Sequence, residues 1–97
     1  MKLIIQIPCY NEAKTLSIAL GALPRSVPGI DTVEWLVIND GSTDDTLNIA
    51  RQCGVDHIVN FNKNQGLAKG FIAGINEALN QGADIIVNTD ADNQYDA

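Results

Sequence analysis

The sequence predicts an α/β domain: a parallel four-stranded sheet covered by three helices, with helices on both faces. Three observations predict it. Four short, mostly apolar runs have the length and composition of strands buried on both faces. The stretches between them carry apolar residues at helical spacing, so strands and helices alternate. Each run also ends in a polar or turn-forming segment, and a parallel sheet gathers such segments along one edge.

Lys2 to Ile7 is the first strand, ending at Pro8. Ala13 to Leu23 follows as a helix, with Leu16, Ala19, Leu20 and Leu23 on one face. Pro24 and Pro28-Gly29 then break the chain. Val33 to Ile38 is the second strand, closed by the turn sequence Asn39-Asp40-Gly41. Ser42-Thr43-Asp44-Asp45 reads as a helix start, with hydroxyls as caps and acids in the first turn. Leu47, Ile49, Ala50 and Cys53 continue that helix and Gly54 ends it. His57 to Phe61 is the third strand, and Asn62 to Gly66 a polar turn. Leu67 to Asn80 is the longest helix, with Ala68, Phe71, Ile72, Ile75, Ala78 and Leu79 expected on its buried face. Gly70 and Gly74 lie inside it and are read as a close helix–sheet contact. Ala83 to Val87 is the fourth strand, and Asp90 follows almost at once.

A chain of 97 residues makes one domain, and its 45% hydrophobic and 19% charged composition is that of a globular protein. Six Lys and Arg against 12 Asp and Glu give a formal charge of -6, which argues against a nucleic-acid surface. It does not argue against a phosphate ligand, because a bound metal reverses the local sign. Cys9 and Cys53 form no CxxC pair and are expected to be reduced thiols of a cytoplasmic protein. No run is long enough for a membrane span. No G-x-G-x-x-G follows the first strand and no G-K-[ST] occurs, which counts against dinucleotide and P-loop sites.

The residues at the expected strand ends are the candidate site. Asp90 and Asp92, two residues apart on an extended segment, can both turn to one hard cation such as Mg2+ or Mn2+, and Gln94 can add a neutral oxygen. Alone, such a pair is also an ordinary solvated turn. Asp40 has two readings: it caps the second helix, or its carboxylate accepts the N–H of a nucleobase. Tyr10 is either a packed aromatic or a stacking surface for a base, and Glu12 is either a ligand contact or a helix-start acid. His57 and Lys69 are read as structural and solvated, respectively.

Taken together, Ile5 to Glu12, Val37 to Asp44, Asn64-Gln65-Gly66 with Gly70 to Gly74, and Asn88 to Gln94 resemble the family 2 glycosyltransferases of GT-A fold. Asp90-Ala91-Asp92-Asn93-Gln94 is especially similar to the polyprenyl-phosphate mannose and glucose synthases. The resemblance implies the Rossmann-like half of a GT-A fold. It implies that Pro8, Tyr10 and Glu12 line a nucleotide pocket, and that Asp40 binds the base beside the Ile38 backbone. Asp90 and Asp92 would hold Mg2+ or Mn2+ on the diphosphate with Gln94, and Ala91 would approach the donor through its backbone. The family often has Asp where this chain has Asn39.

The implied reaction is inverting sugar transfer from a nucleoside diphosphate sugar of UDP or GDP type. The acceptor is left open, with a polyprenyl phosphate at a membrane as one candidate and membrane association following from it. The 97 residues are expected to be the donor-binding part of a longer catalytic domain, inactive by themselves. Two alternatives stand beside this. A nucleotidyltransferase making a nucleotide sugar would carry a Gly-rich basic segment after the first strand, and Pro8 to Glu12 is neither. A non-catalytic, Mg2+-binding flavodoxin-like module of receiver type would carry its acid pair after the first strand, and here the pair follows the fourth.

Overall fold

The structure, a computed structural model, describes residues 1–89. Its elements alternate as expected: β1 (Lys2–Cys9), α1 (Leu16–Gly21), β2 (Thr32–Asp40), α2 (Thr46–Gln52), β3 (His57–Phe61), α3 (Leu67–Asn80) and β4 (Ile85–Asn88). The strands form one parallel sheet in the order β3-β2-β1-β4.

That order explains the layers. The chain steps outward from β1 to β2 to β3, then returns past β1 to β4. Crossovers of one hand place helices on one face for the outward steps and on the other for the return. Leu16 and Leu20 of α1 and Ala50 of α2 accordingly share a core with Leu3, Ile5, Ile7, Val33, Trp35 and Val37. On the opposite face Ala78 of α3 packs with Ile4, Leu36 and Ile38. The side chains of β1 and β2 divide between these two cores with the strand period of two.

Besides β2, which runs on through Asn39 and Asp40 instead of turning there, four local expectations change. Pro8 does not end β1, which continues to Cys9 in register with Asn39. The main chain of Gln6 faces β4, where its carbonyl accepts the Thr89 N–H at 3.0 Å. Pro8, two residues on, turns its missing N–H to that same side, beyond the pairing of β4, so no bond to β2 is lost. α1 spans Leu16–Gly21 rather than starting at Ala13, and α2 starts at Thr46 rather than within Ser42 to Asp45. The residues ahead of both helices are bonded to each other instead, as described below.

The fourth change is the buried face of α3, which consists of Gly70, Gly74 and Ala78. Phe71, Ile72 and Leu79 are exposed, as is Ala68, and Ile75 is half-buried. A Cβ on Gly74 would lie 2.6 Å from Gln6 Oε1 and 2.7 Å from Ile38 Cδ1. The helix therefore sits too close to the sheet for large side chains on its contact row, and the expected close packing of the glycines is borne out. At the far end of the sheet, His57 Nε2 lies 2.7 Å from Glu34 Oε1 and ties β3 to β2. Among the described residues, no helix is long and apolar enough to cross a membrane.

Candidate functional site

The carboxyl ends of β1 and β2 lie side by side, with Pro8 opposite Ile38 and Cys9 opposite Asn39. Tyr10, just beyond β1, is 47% exposed, so it is a surface aromatic and not a packed one. Asn11 adopts φ 52, a left-handed conformation that Asn tolerates. Its Oδ1 accepts the Thr43 N–H at 2.7 Å, and its own N–H donates to Ser42 Oγ at 3.0 Å. The Glu12 N–H donates to Thr46 Oγ1 at 2.9 Å, and the Ala13 N–H to Asp44 Oδ2 at 3.2 Å. These bonds join the loop after β1 to the loop after β2 and use up the groups that would have started α1 and α2 earlier.

Asp44 is at the centre of this joint. Loss of water pushes its carboxyl up, but bonds from the Thr46 hydroxyl and N–H and from the Ala13 N–H outweigh it, leaving the group below its ordinary value. Asn11 and Thr46 had no assigned role from sequence, and Ser42 and Thr43, read there as helix caps, bond Asn11 instead. Their signal was the recurrence of small polar side chains after two successive strands.

Asp40 is buried at the end of β2. Its Oδ1 accepts the Gln65 N–H at 2.6 Å, and its Oδ2 accepts the Gly66 N–H and Asn64 Nδ2, both at 3.1 Å. It therefore does not cap α2, one of its two readings. It grips the turn that opens α3, whose N-cap, Gly66, has no side chain of its own. Gly41 permits the approach: its φ is +73°, and a Cβ there would lie 2.4 Å from Lys63 C and Asn64 N. An ionised carboxylate has about four lone-pair sites. Three donors leave one acceptor site, on Oδ1.

Asn39 points to the other face of the sheet. Its Nδ2 donates to Asn60 Oδ1 at 2.8 Å, while its buried Oδ1 has no partner among the described residues. Both amides line a polar cleft of about 330 Å³ with Ser42, Asp44 and Asn62. An Asp at position 39 would lose the donor to Asn60 and set a second carboxylate next to Asp40 in the buried strand end. Asn60 was not singled out from sequence. Cys9, buried beneath this edge, has its thiol pushed up to about 12 by burial and then by the Glu12 charge, so it is no nucleophile.

The strand order reverses between β1 and β4, the place where open α/β sheets bind ligands. There Gln6 pairs with Asn88, two residues before Asp90 in the sequence. Asp90, Ala91, Asp92 and Gln94 themselves lie outside the described residues. Among the described residues no three His, Cys, Asp or Glu could hold a metal ion. The metal expectation therefore rests on Asp90, Asp92 and Gln94.

The family model of glycosyl transferase family 2 matches residues 4–97. The undecaprenyl-phosphate mannosyltransferase of Micrococcus luteus is 33% identical over 99 residues, covering 98% of this chain and 40% of that protein. The dolichol-phosphate mannosyltransferase of Pyrococcus furiosus is 30% identical over 98 residues, covering 98% of this chain and 27% of that protein. Among solved structures, S. aureus TarS 1-349 in complex with UDP superimposes with a TM-score of 0.69 at 25% identity, over 95% of this chain and 28% of that chain. A mannosyltransferase from Pyrobaculum calidifontis in complex with GDP-Man and Mn2+ gives a TM-score of 0.65 at 27% identity, over 93% of this chain and 27% of that chain. The expected Rossmann-like GT-A half is thus the observed fold. The chain spans well under half the length of the first curated relatives it matches.

Proposed function

The chain belongs to glycosyl transferase family 2, and from that premise we propose that it is the donor-binding part of a metal-dependent, inverting glycosyltransferase. The observation that carries this reading is the gathering of the β1 and β2 loop ends and Asp40 along one sheet edge, beside the switch point between β1 and β4. The family match favours it over a nucleotidyltransferase or a Mg2+-binding module.

Each described group has a task that its position suits, and the remaining ones a task that their chemistry suits. Tyr10 offers an exposed ring on which a base stacks. Pro8 and Glu12 stand two residues to either side of Tyr10 in the sequence, and the Ile38 backbone lies level with Pro8. Asp40, its carboxylate fixed by three donors, gives its remaining lone pair to a base N–H. Asp90, Asp92 and Gln94 are all oxygen donors, the set that a hard divalent cation prefers, and so they fit Mg2+ or Mn2+. When bound, the cation offsets charge developing on the departing diphosphate. Ala91, with no side chain beyond Cβ, lets the donor approach the backbone between the two acids.

The donor is a nucleoside diphosphate sugar. Relatives bearing UDP or GDP-Man support both base types, and the named polyprenyl-phosphate mannosyltransferases support a polyprenyl phosphate acceptor at a membrane. A phosphate acceptor is already ionised and needs no general base; a hydroxyl acceptor requires a carboxylate to take its proton. The reading puts the acceptor site outside these residues and expects no turnover by the 97-residue chain alone, a view supported by relatives far longer than the matched length.

Calorimetric titration of UDP and GDP into the full-length protein, with and without Mn2+, tests this. Metal-dependent binding that Asp92→Ala abolishes is expected. Equal affinity without metal, or no binding by the folded full-length protein, overturns the reading.

A further inference from the structure

Gln6 is an anomaly in the α3-facing core. It sits on β1 among Ile4, Leu36, Ile38 and Ala78, and it is 0% exposed. Its Nε2 donates to Asn88 Oδ1 at 3.0 Å and makes a longer contact, 3.4 Å, with the Phe71 carbonyl of α3. Its Oε1 is buried with no partner among the described residues. Leucine would fill much of the same space without an orphaned acceptor, so burial alone does not account for an amide there. Room is made for it: Gly74 stands where any Cβ would meet Gln6 Oε1 at 2.6 Å.

What the amide reaches is informative. The Gln6 side chain holds Asn88, and the Gln6 main-chain carbonyl holds the N–H of Thr89 at 3.0 Å. One buried residue thereby fixes two successive residues at the end of β4, and Asp90 comes next in the sequence. Among the described residues, the other supports of that strand are its pairing with β1 and the packing of Ile86 on the α3-facing core. β4 has only four residues, and Ile85 and Val87 are 39% and 45% exposed.

We propose that Gln6 and Asn88 form a positioning pair that fixes the chain at Asn88-Thr89, the residues that immediately precede Asp90-Ala91-Asp92 in the sequence. The proposal rests on the reading of Asp90 and Asp92 as ligands of the diphosphate-bound cation. Coordination by Mg2+ and Mn2+ depends on ligand geometry, and loss of a group that orients a ligand typically costs about 10–100-fold in metal affinity. The bond also orients the Asn88 carboxamide, with its Oδ1 toward Gln6.

The test uses the full-length protein carrying Gln6→Leu, Asn88→Ala or both. Three quantities are read: the Mn2+ concentration giving half-maximal UDP or GDP binding, nucleotide affinity at saturating Mn2+, and the thermal midpoint. Each single variant should raise the half-saturating Mn2+ concentration roughly tenfold or more, and saturating Mn2+ should restore much of the nucleotide affinity. The thermal midpoint of Gln6→Leu should not fall, because the variant removes an unsatisfied buried acceptor. The double variant should be no worse than the poorer single one, as expected for residues acting through one contact. Asn88 is exposed among the described residues, so its variant carries the test if Gln6→Leu folds poorly.

If wild type binds in a metal-dependent way and Asn88→Ala stays within twofold of it, the pair is merely structural and the proposal fails while the donor-site reading stands. Additive losses in the double variant overturn it equally. If wild type shows no metal-dependent binding, both readings fall.

Discussion

Gly41→Ala is the substitution whose cost can be worked most directly from the structure. Two terms contribute. The native φ of +73° is left-handed, and holding alanine there costs about 1–2 kcal/mol. The new Cβ would also lie 2.4 Å from Lys63 C and Asn64 N, and these are backbone atoms that no rotamer change can move. Overpacking of this kind costs about 1–3 kcal/mol, giving about 2–5 kcal/mol in all. Relief requires the 63–66 turn to retreat, which pulls the Gln65 and Gly66 N–H groups from Asp40. Gly29→Ala is the internal control, since Gly29 has φ +83° with nothing within 4 Å of an added Cβ, so only the first term applies. Urea unfolding of the chain and both variants should place Gly41→Ala about 1–3 kcal/mol below Gly29→Ala. Equal losses would refute the claim that close backbone approach at Gly41 builds the Asp40 grip.

Two further outcomes are expected. A thiol reagent at pH 8 should modify half-buried Cys53 and spare buried Cys9, whose thiol, pushed up to about 12 by burial, stays protonated there; rapid loss of both thiols in folded protein would contradict that burial. Asp44 and Asp56 are both held below the ordinary carboxyl value, against desolvation, by bonds from Thr46 and Ala13 and from Arg25 and the Trp35 N–H, so below the unfolded value of about 3.9 the unfolded chain binds more protons than the folded one. Their contribution is present above that value and lost as pH falls through the folded values, and Asp56→Asn should give a shallower acid limb in pH-dependent unfolding; an unchanged slope would count against the Asp56 bonds.

The strands and the order of elements were legible because apolar runs and helical spacing are local signals. What was not legible came from contacts across long separations. The starts of α1 and α2 were placed too early because the Ala13 N–H binds Asp44 and Asn11 binds Thr43, partners more than thirty residues apart. A hydroxyl-and-acid cluster looks like a helix cap whether it binds its own helix or a neighbouring loop. The buried face of α3 was misjudged because periodicity assigns large apolar residues to the core. Here the helix approaches so closely that Gly70, Gly74 and Ala78 occupy the contact row. Asp40 was recognised as important, but its partners in the 64–66 turn could not be read from the sequence around it. Gln6 passed as one residue of a strand, since burial of its amide becomes apparent only when α3 and β4 are in place.

These long-range contacts also connect the two ends of the proposed donor site. Asp40, assigned to the base, grips the N–H groups of Gln65 and Gly66 at the start of α3. Gln6, assigned to the metal end through Asn88, lies against Gly74 and contacts the Phe71 carbonyl farther along that helix. A continuous hydrogen-bonded helix resists bending between those points, so α3 serves as a common mount for both. This gives Gly74 on its contact row a reason beyond packing. A side chain at Gly74 would lift the helix from Ile38 and Gln6, and the Asp40 and Gln6 contacts would lose their shared reference together.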